Sequence, residues 1–121
     1  MRFTSIPQRR CAGALLALLW FIAPAHSAED PYKDTRSVFL RAYARAADGT
    51  SAEQADSEEL RTYPLYPYLQ AARLKRSFLN AGAALESVDQ RAATFLTYYE
   101  NEPVARDLRR AWLASLAERK Q

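Results

Sequence analysis

Histidine, cysteine and methionine each occur once in the 121 residues, and glycine three times. Cys11 and His26 both fall within the first 28 residues, a stretch with the pattern of an export signal. Beyond it the chain has neither imidazole nor thiol. That absence excludes Cys/His metal sites, Ser-His-Asp triads and Cys-His nucleophiles together. It also excludes a disulfide, although export would permit one. Scarce glycine beside abundant Ala, Leu, Arg and Glu favours helix.

The signal pattern consists of Arg2, Arg9 and Arg10 followed by the apolar run Cys11 to Ala23, CAGALLALLWFIA. The run falls short of the roughly 20 residues that a spanning helix needs, and Pro24 breaks it just before the small-residue site in APAHSAED. Cleavage is expected after Ser27 or Ala28, with no membrane contact afterwards. An uncleaved anchor, holding a helical protein at the membrane, is the competing reading. The pair Arg9-Arg10 lacks the flanking Ser or Thr and Phe-Leu of a twin-arginine signal. Cys11 starts the apolar run instead of following it, which is the wrong place for a lipoprotein cysteine.

Charge follows the same division. The first 28 residues carry three of the 17 basic residues and none of the 14 acidic ones, so the remainder is neutral. The basic isoelectric point belongs to the signal segment, and a nucleic-acid partner loses its electrostatic support. The cluster Arg73, Lys75, Arg76 is expected to be a solvated helix face. Roughly 93 residues remain, enough for one modest core.

Five helical segments are expected in this remainder. TRSVFLRAYARAADG spaces Val38, Phe39, Ala42, Tyr43 and Ala46 by three and four, with arginines 36, 41 and 45 opposite. Asp34 or Thr35 can cap its start, and Gly49 is a left-handed stop. TSAEQADSEELRTY is a short exposed helix or a loop, with Leu60 as its main buried contact. In YPLYPYLQAARL, Pro64 keeps Tyr63 out of helical geometry and Pro67 suits the first position of a helix. A third helix follows from about Pro67 to Leu79, with Leu69, Ala72, Leu74 and Phe78 inward. Ser87 and Gln90 form an S-x-x-Q capping box for a fourth helix, which carries Ala92, Phe95, Leu96 and Tyr99. Pro103 opens a fifth, with Val104, Leu108, Ala111, Trp112 and Leu116 as its apolar stripe. No segment alternates as a strand, so the class is all-α. Short turns between antiparallel helices suit either a compact bundle or the first layers of a solenoid.

The corner YPLYPYL entering a helix resembles the N-terminal region of soluble lytic murein transglycosylases. The later run FLTYYENEPVARDLRRAWLASLAERKQ is similar to that family's next hairpin, with its LRRxWLxxLA helix. Together the two cover most of residues 35 to 121. The resemblance implies antiparallel helical hairpins that start an α-superhelix (solenoid), the U-type domain of a periplasmic enzyme that cuts peptidoglycan glycan strands. In the family a C-terminal lysozyme-like domain carries one glutamic acid as general acid and then base. The sugar's own 6-hydroxyl serves as nucleophile, unlike the two-carboxylate scheme of ordinary glycosidases.

That glutamate stands in a Glu-Ser motif, and Glu86-Ser87 is the one such dipeptide here. It does not qualify, because Ser87 is read as a helix cap and the family's downstream Gly-Leu-Met-Gln segment is missing. Fewer than forty residues follow, too few for a lysozyme-like domain. Glu58, Glu59, Glu100 and Glu102 read as solvated charges at turns and helix ends. No catalytic, cofactor-binding or metal-binding residue is therefore assigned, and no cofactor is expected. The chain reads as a signal peptide over 1–28 and a truncated superhelical segment over 29–121, itself inactive. It would meet peptidoglycan through the intact family enzyme and self-associate through the exposed end of the superhelix. A stand-alone helical-repeat module, binding a protein or glycan partner through Tyr63, Tyr66, Tyr68, Tyr98 and Tyr99, is the alternative. Packing accounts for those rings more cheaply.

Overall fold

A computed structural model describes residues 29–120; the signal assignment to residues 1–28 lies outside them. The described residues hold five α-helices and no strand: α1 (Lys33–Asp48), α2 (Glu58–Arg61), α3 (Tyr66–Asn80), α4 (Leu85–Tyr98) and α5 (Pro103–Glu118). Short 3-10 turns at Glu53–Ala55 and Gly82–Ala84 precede α2 and α4. The all-α class holds. Among the described residues no helix is long and apolar enough to cross a membrane.

Neither Asp34 nor Thr35 caps α1, because the helix begins before both. Asp30 organises the entry instead: its carboxylate accepts from the Tyr32 N–H at 2.9 Å and pairs with Arg36 at 2.7 Å. Phe39, Ala42 and Ala46 are buried, whereas Tyr43 lies largely on the surface with its ring against Phe39. Gly49 ends the helix at φ 77°, where the Thr50 N–H reaches the Arg45 carbonyl and the Gly49 N–H that of Ala46. This is a Schellman stop, as the sequence pattern leads one to expect. A side chain at Gly49 would also meet Arg76 Nε at 3.1 Å.

Ser57 caps α2 by accepting from the Leu60 N–H at 3.3 Å, and Leu60 is buried. The proline corner then turns the chain, with the Tyr66 N–H on the Tyr63 carbonyl at 2.8 Å; Tyr66 opens α3, so Pro67 is its second residue and not its first, still within the turn whose N–H groups lack helical partners.

α3 is the central element. Tyr66 and Leu69 join a cluster with Phe39, Ala42, Ala46, Leu60 and Tyr63. Ala71, Leu74 and Phe78 join a second cluster with residues of α4 and α5. A helix buried on two flanks keeps little solvent face, and the expectation that Arg73 lies on such a face fails: it is 8% exposed. Lys75 and Arg76 remain partly accessible, with Lys75 paired to Asp107 of α5.

The capping box at Ser87 is also corrected. Gly82, at φ 47°, and the two alanines behind it already turn the chain into helix, so α4 starts at Leu85. The Ser87 hydroxyl, now inside the first turn, donates back to the Ala84 carbonyl at 2.8 Å. Pro103 opens α5, whose Val104, Ala105 and Leu108 are buried. Farther along, Ala111, Trp112 and Leu116 are half-buried and Leu113 is 57% exposed. Asp89 of α4 ties down this second half: it accepts from Trp112 Nε1 at 2.7 Å and takes both Arg119 Nη groups at 2.9 Å.

Leu108 has no exposed surface, so Leu108→Ala should cost about 3 kcal/mol in urea denaturation. Leu113→Ala should stay within about 0.5 kcal/mol. Equal losses would show that α5 buries a different face.

Candidate functional site

The polar centre of the molecule is built on α3 and the segment 51–56. Tyr66 and Arg73 are seven residues apart, so both project from one side of α3. The guanidinium meets Asp56 in a two-pronged pair, at 2.6 Å to Oδ2 and 2.8 Å to Oδ1. The Tyr66 hydroxyl donates to the same carboxylate at 2.9 Å, and Arg73 Nε donates to Ser51 Oγ at 2.8 Å. The pair is buried, with side-chain exposures of 9% for Arg73 and 4% for Asp56. Burial alone would raise the Asp56 pKa. The hydrogen bonds from Arg73 and Tyr66 and the nearby arginine charges outweigh it and hold the carboxyl below its ordinary value. Burial and the bond to Asp56 push the Tyr66 phenol up to about 12.

The five tyrosines considered as a binding surface divide. Tyr63 packs in the core, its ring 5.6 Å from Tyr32 and 5.2 Å from Phe39. Tyr66 is buried in the polar centre. Tyr68 is 40% exposed, and Tyr98 is 79% exposed. Tyr99 is half-buried, with its ring 4.5 Å from Phe95 and 4.7 Å from Tyr98. Glu58, Glu59, Glu86, Glu100 and Glu102 are all exposed, as solvated charges should be.

Beside Arg73 a groove of about 510 Å³ runs between α3 and α4. Gln70, Gln90, Thr94, Phe95, Tyr98 and Tyr99 give it an amide-rich, aromatic lining. A more polar cavity of about 330 Å³ adjoins it, containing Ser51, Arg76 and Ser77. Glu53, Arg73 and Arg91 line both, and an Arg91–Glu53 ion pair of 3.4 Å stands at the junction. Among the described residues no group of three His, Cys, Asp or Glu side chains is placed to hold a metal ion.

Sequence reasoning missed Asp56, Ser51 and the groove. The seven-residue interval from Tyr66 to Arg73 was the available signal for a shared polar face. Nothing local to Asp56 distinguishes it from its exposed acidic neighbours.

Asp56→Ala leaves the Arg73 charge buried without a partner and should destabilise by about 3–5 kcal/mol. An Asp56→Leu/Arg73→Met double variant should recover most of that loss; no recovery would mean that the charges are not coupled. A depressed carboxyl pKa contributes stability that is fully present above the unfolded value, about 3.9, and is lost as pH falls through the folded value. Denaturation curves should therefore be level down to about pH 4 and weaken below it, less steeply in Asp56→Asn. The raised Tyr66 pKa has the opposite sense: its contribution holds below about pH 10 and is lost as pH rises towards the folded value. Tyrosinate absorbance should show a late step near pH 12 that disappears in Tyr66→Phe.

Comparison with known proteins adds no relative: no family model, no curated protein and no solved structure matches this chain. The likeness to lytic transglycosylases rests on the two segments that carry it.

Proposed function

We propose that residues 29–121 form the opening hairpins of the superhelical domain of a periplasmic soluble lytic murein transglycosylase, exported by the segment 1–28. On this reading the chain is scaffold. It supplies no catalytic residue and meets peptidoglycan through the enzyme to which the superhelix belongs. The proline corner serves as a packed bend, with Tyr63 and Tyr66 turned inward.

The open flank of α5 carries the proposal. Its first half is buried against α3 and α4, while Trp112 and Leu116 stay half-covered and Leu113 stands out. In stacked helical hairpins each layer buries its apolar face on the next, so a flank of this kind suits a following hairpin.

The DNA beyond the Gln121 codon should encode further helical hairpins and a lysozyme-like domain, in frame or behind a frameshift. A long unrelated downstream region would overturn the proposal. The isolated chain should self-associate through the same flank in sedimentation velocity runs, and Leu113→Glu should shift it towards monomer. A wild-type chain that stays monomeric at high concentration would count against a stacking face.

A further inference from the structure

We infer that the groove and the adjoining polar cavity form one binding site for a short extended peptide that ends in a free carboxylate. The proposal is independent of the transglycosylase reading. It rests on how donors and charges are distributed along the continuous cleft.

At the cavity end three arginines are present, and one of them already has its charge paired by a buried carboxylate. Arg73 donates one N–H of each Nη group to Asp56 and its Nε to Ser51, so its charge is compensated within the fold. Arg76 is half-buried and, among the described residues, has no ion-pair partner. Its Nε lies 3.2 Å from the Asn80 side-chain amide, whose oxygen can accept from it, and among the described residues neither Nη group has a hydrogen-bond partner. Among the described residues Arg91 is held only by the 3.4 Å contact with Glu53, between side chains that are 55% and 44% exposed. Exposed pairs of this kind contribute little, and an incoming carboxylate can take over the guanidinium. Ser51 adds a third donor. Its Oγ already accepts from Arg73, and among the described residues no acceptor takes its own proton. Two guanidinium groups and a hydroxyl, set against the single carboxylate of Glu53, leave this polar cavity with a cationic excess that suits a carboxylate.

The groove end has different chemistry. Gln90 on α4 offers an amide donor and an acceptor, the complement of a peptide's C=O and N–H groups, and Gln70 on α3 adds its amide donor, its oxygen already accepting from the Tyr99 hydroxyl at 3.5 Å. Beyond Gln90 and alongside Gln70, the residues Phe95, Tyr98 and Tyr99 form an apolar end suited to a hydrophobic side chain. Carboxylate capture at one end, amide pairing in the middle and an apolar contact at the other describe the terminus of a peptide. A neutral saccharide would use the tyrosines and the amides but leave Arg76 without an anion and Arg91 on its exposed pair with Glu53.

Calorimetric titration of the purified chain with N-acetyl-trialanine, its C-terminal amide and an uncharged N-acetylglucosamine trimer tests the proposal. The free acid should bind, and the amide should bind about tenfold more weakly. Added salt should narrow that gap. Arg76→Gln and Arg91→Gln should each weaken the acid about tenfold while leaving helical circular dichroism unchanged. Gln90→Ala should weaken acid and amide alike. Equal affinity for acid and amide, insensitivity to both arginine substitutions, binding of the sugar trimer alone, or no peptide binding at millimolar concentration would each overturn the proposal.

Discussion

The buried pair between Asp56 and Arg73 sets the constraint on which the rest of the structure depends. Removing two charges from water is expensive, and the cost is offset only if the geometry is good and the remaining lone pairs and protons are satisfied. Here two guanidinium nitrogens meet two carboxylate oxygens, Nε is taken by Ser51, and the Tyr66 hydroxyl adds a further donor to the carboxylate. No buried side-chain polar atom lacks a partner among the described residues. The network fixes the 51–56 segment against α3 at one angle and depth, which packing of its small and polar residues would not do. Only Leu60, just beyond it, contributes a buried apolar anchor.

That fixed segment lies against the helix shared by both hydrophobic clusters. α3 gives Tyr66 and Leu69 to one cluster and Ala71, Leu74 and Phe78 to the other. Neither cluster is large, and each takes one wall from the same helix. Their stabilities are therefore linked through α3, and a substitution in its middle is felt on both sides. The second half of α5 is held differently, by the Asp89 carboxylate on Trp112 and Arg119. Polar ties can orient a helix without covering its apolar flank, which is why Leu113 remains exposed.

Helices were legible in the sequence because three- and four-residue spacing records a buried face directly. Phe39, Ala42, Leu69, Ala92 and Leu108 all lie where that spacing puts them. The left-handed stop at Gly49 and the proline openings of α3 and α5 were legible for a similar reason: the backbone restrictions of glycine and proline are local. Caps were less readable. Asp34 and Ser87 have the chemistry of a cap, but Asp30 and the Gly82–Ala84 turn nucleate the helix upstream and place both residues inside it. Arg73 was misread for a third reason. Periodicity assigns a helix one inward face, and a central helix has two, so a residue between them is buried despite its charge. The groove joins residues from 53 to 99 and depends on tertiary placement that no local pattern encodes.

The same dependence ties the cleft's chemistry to the core. Ser51 reaches the cavity and Glu53 its junction with the groove because Asp56, a few residues later, is held under Arg73. Arg73 lines both spaces but gives its Nε and one N–H of each Nη group inward, to Ser51 and Asp56. A charge spent on structure is unavailable to a ligand, so the available cation density falls to Arg76 and Arg91 at the rim. The hydroxyl of Ser51 stands between these two roles, accepting from the buried arginine and keeping its proton for the cleft. Loosening the Asp56 pair would therefore release the cleft's floor and one of its donors together, and the fold and the site would be lost as a unit.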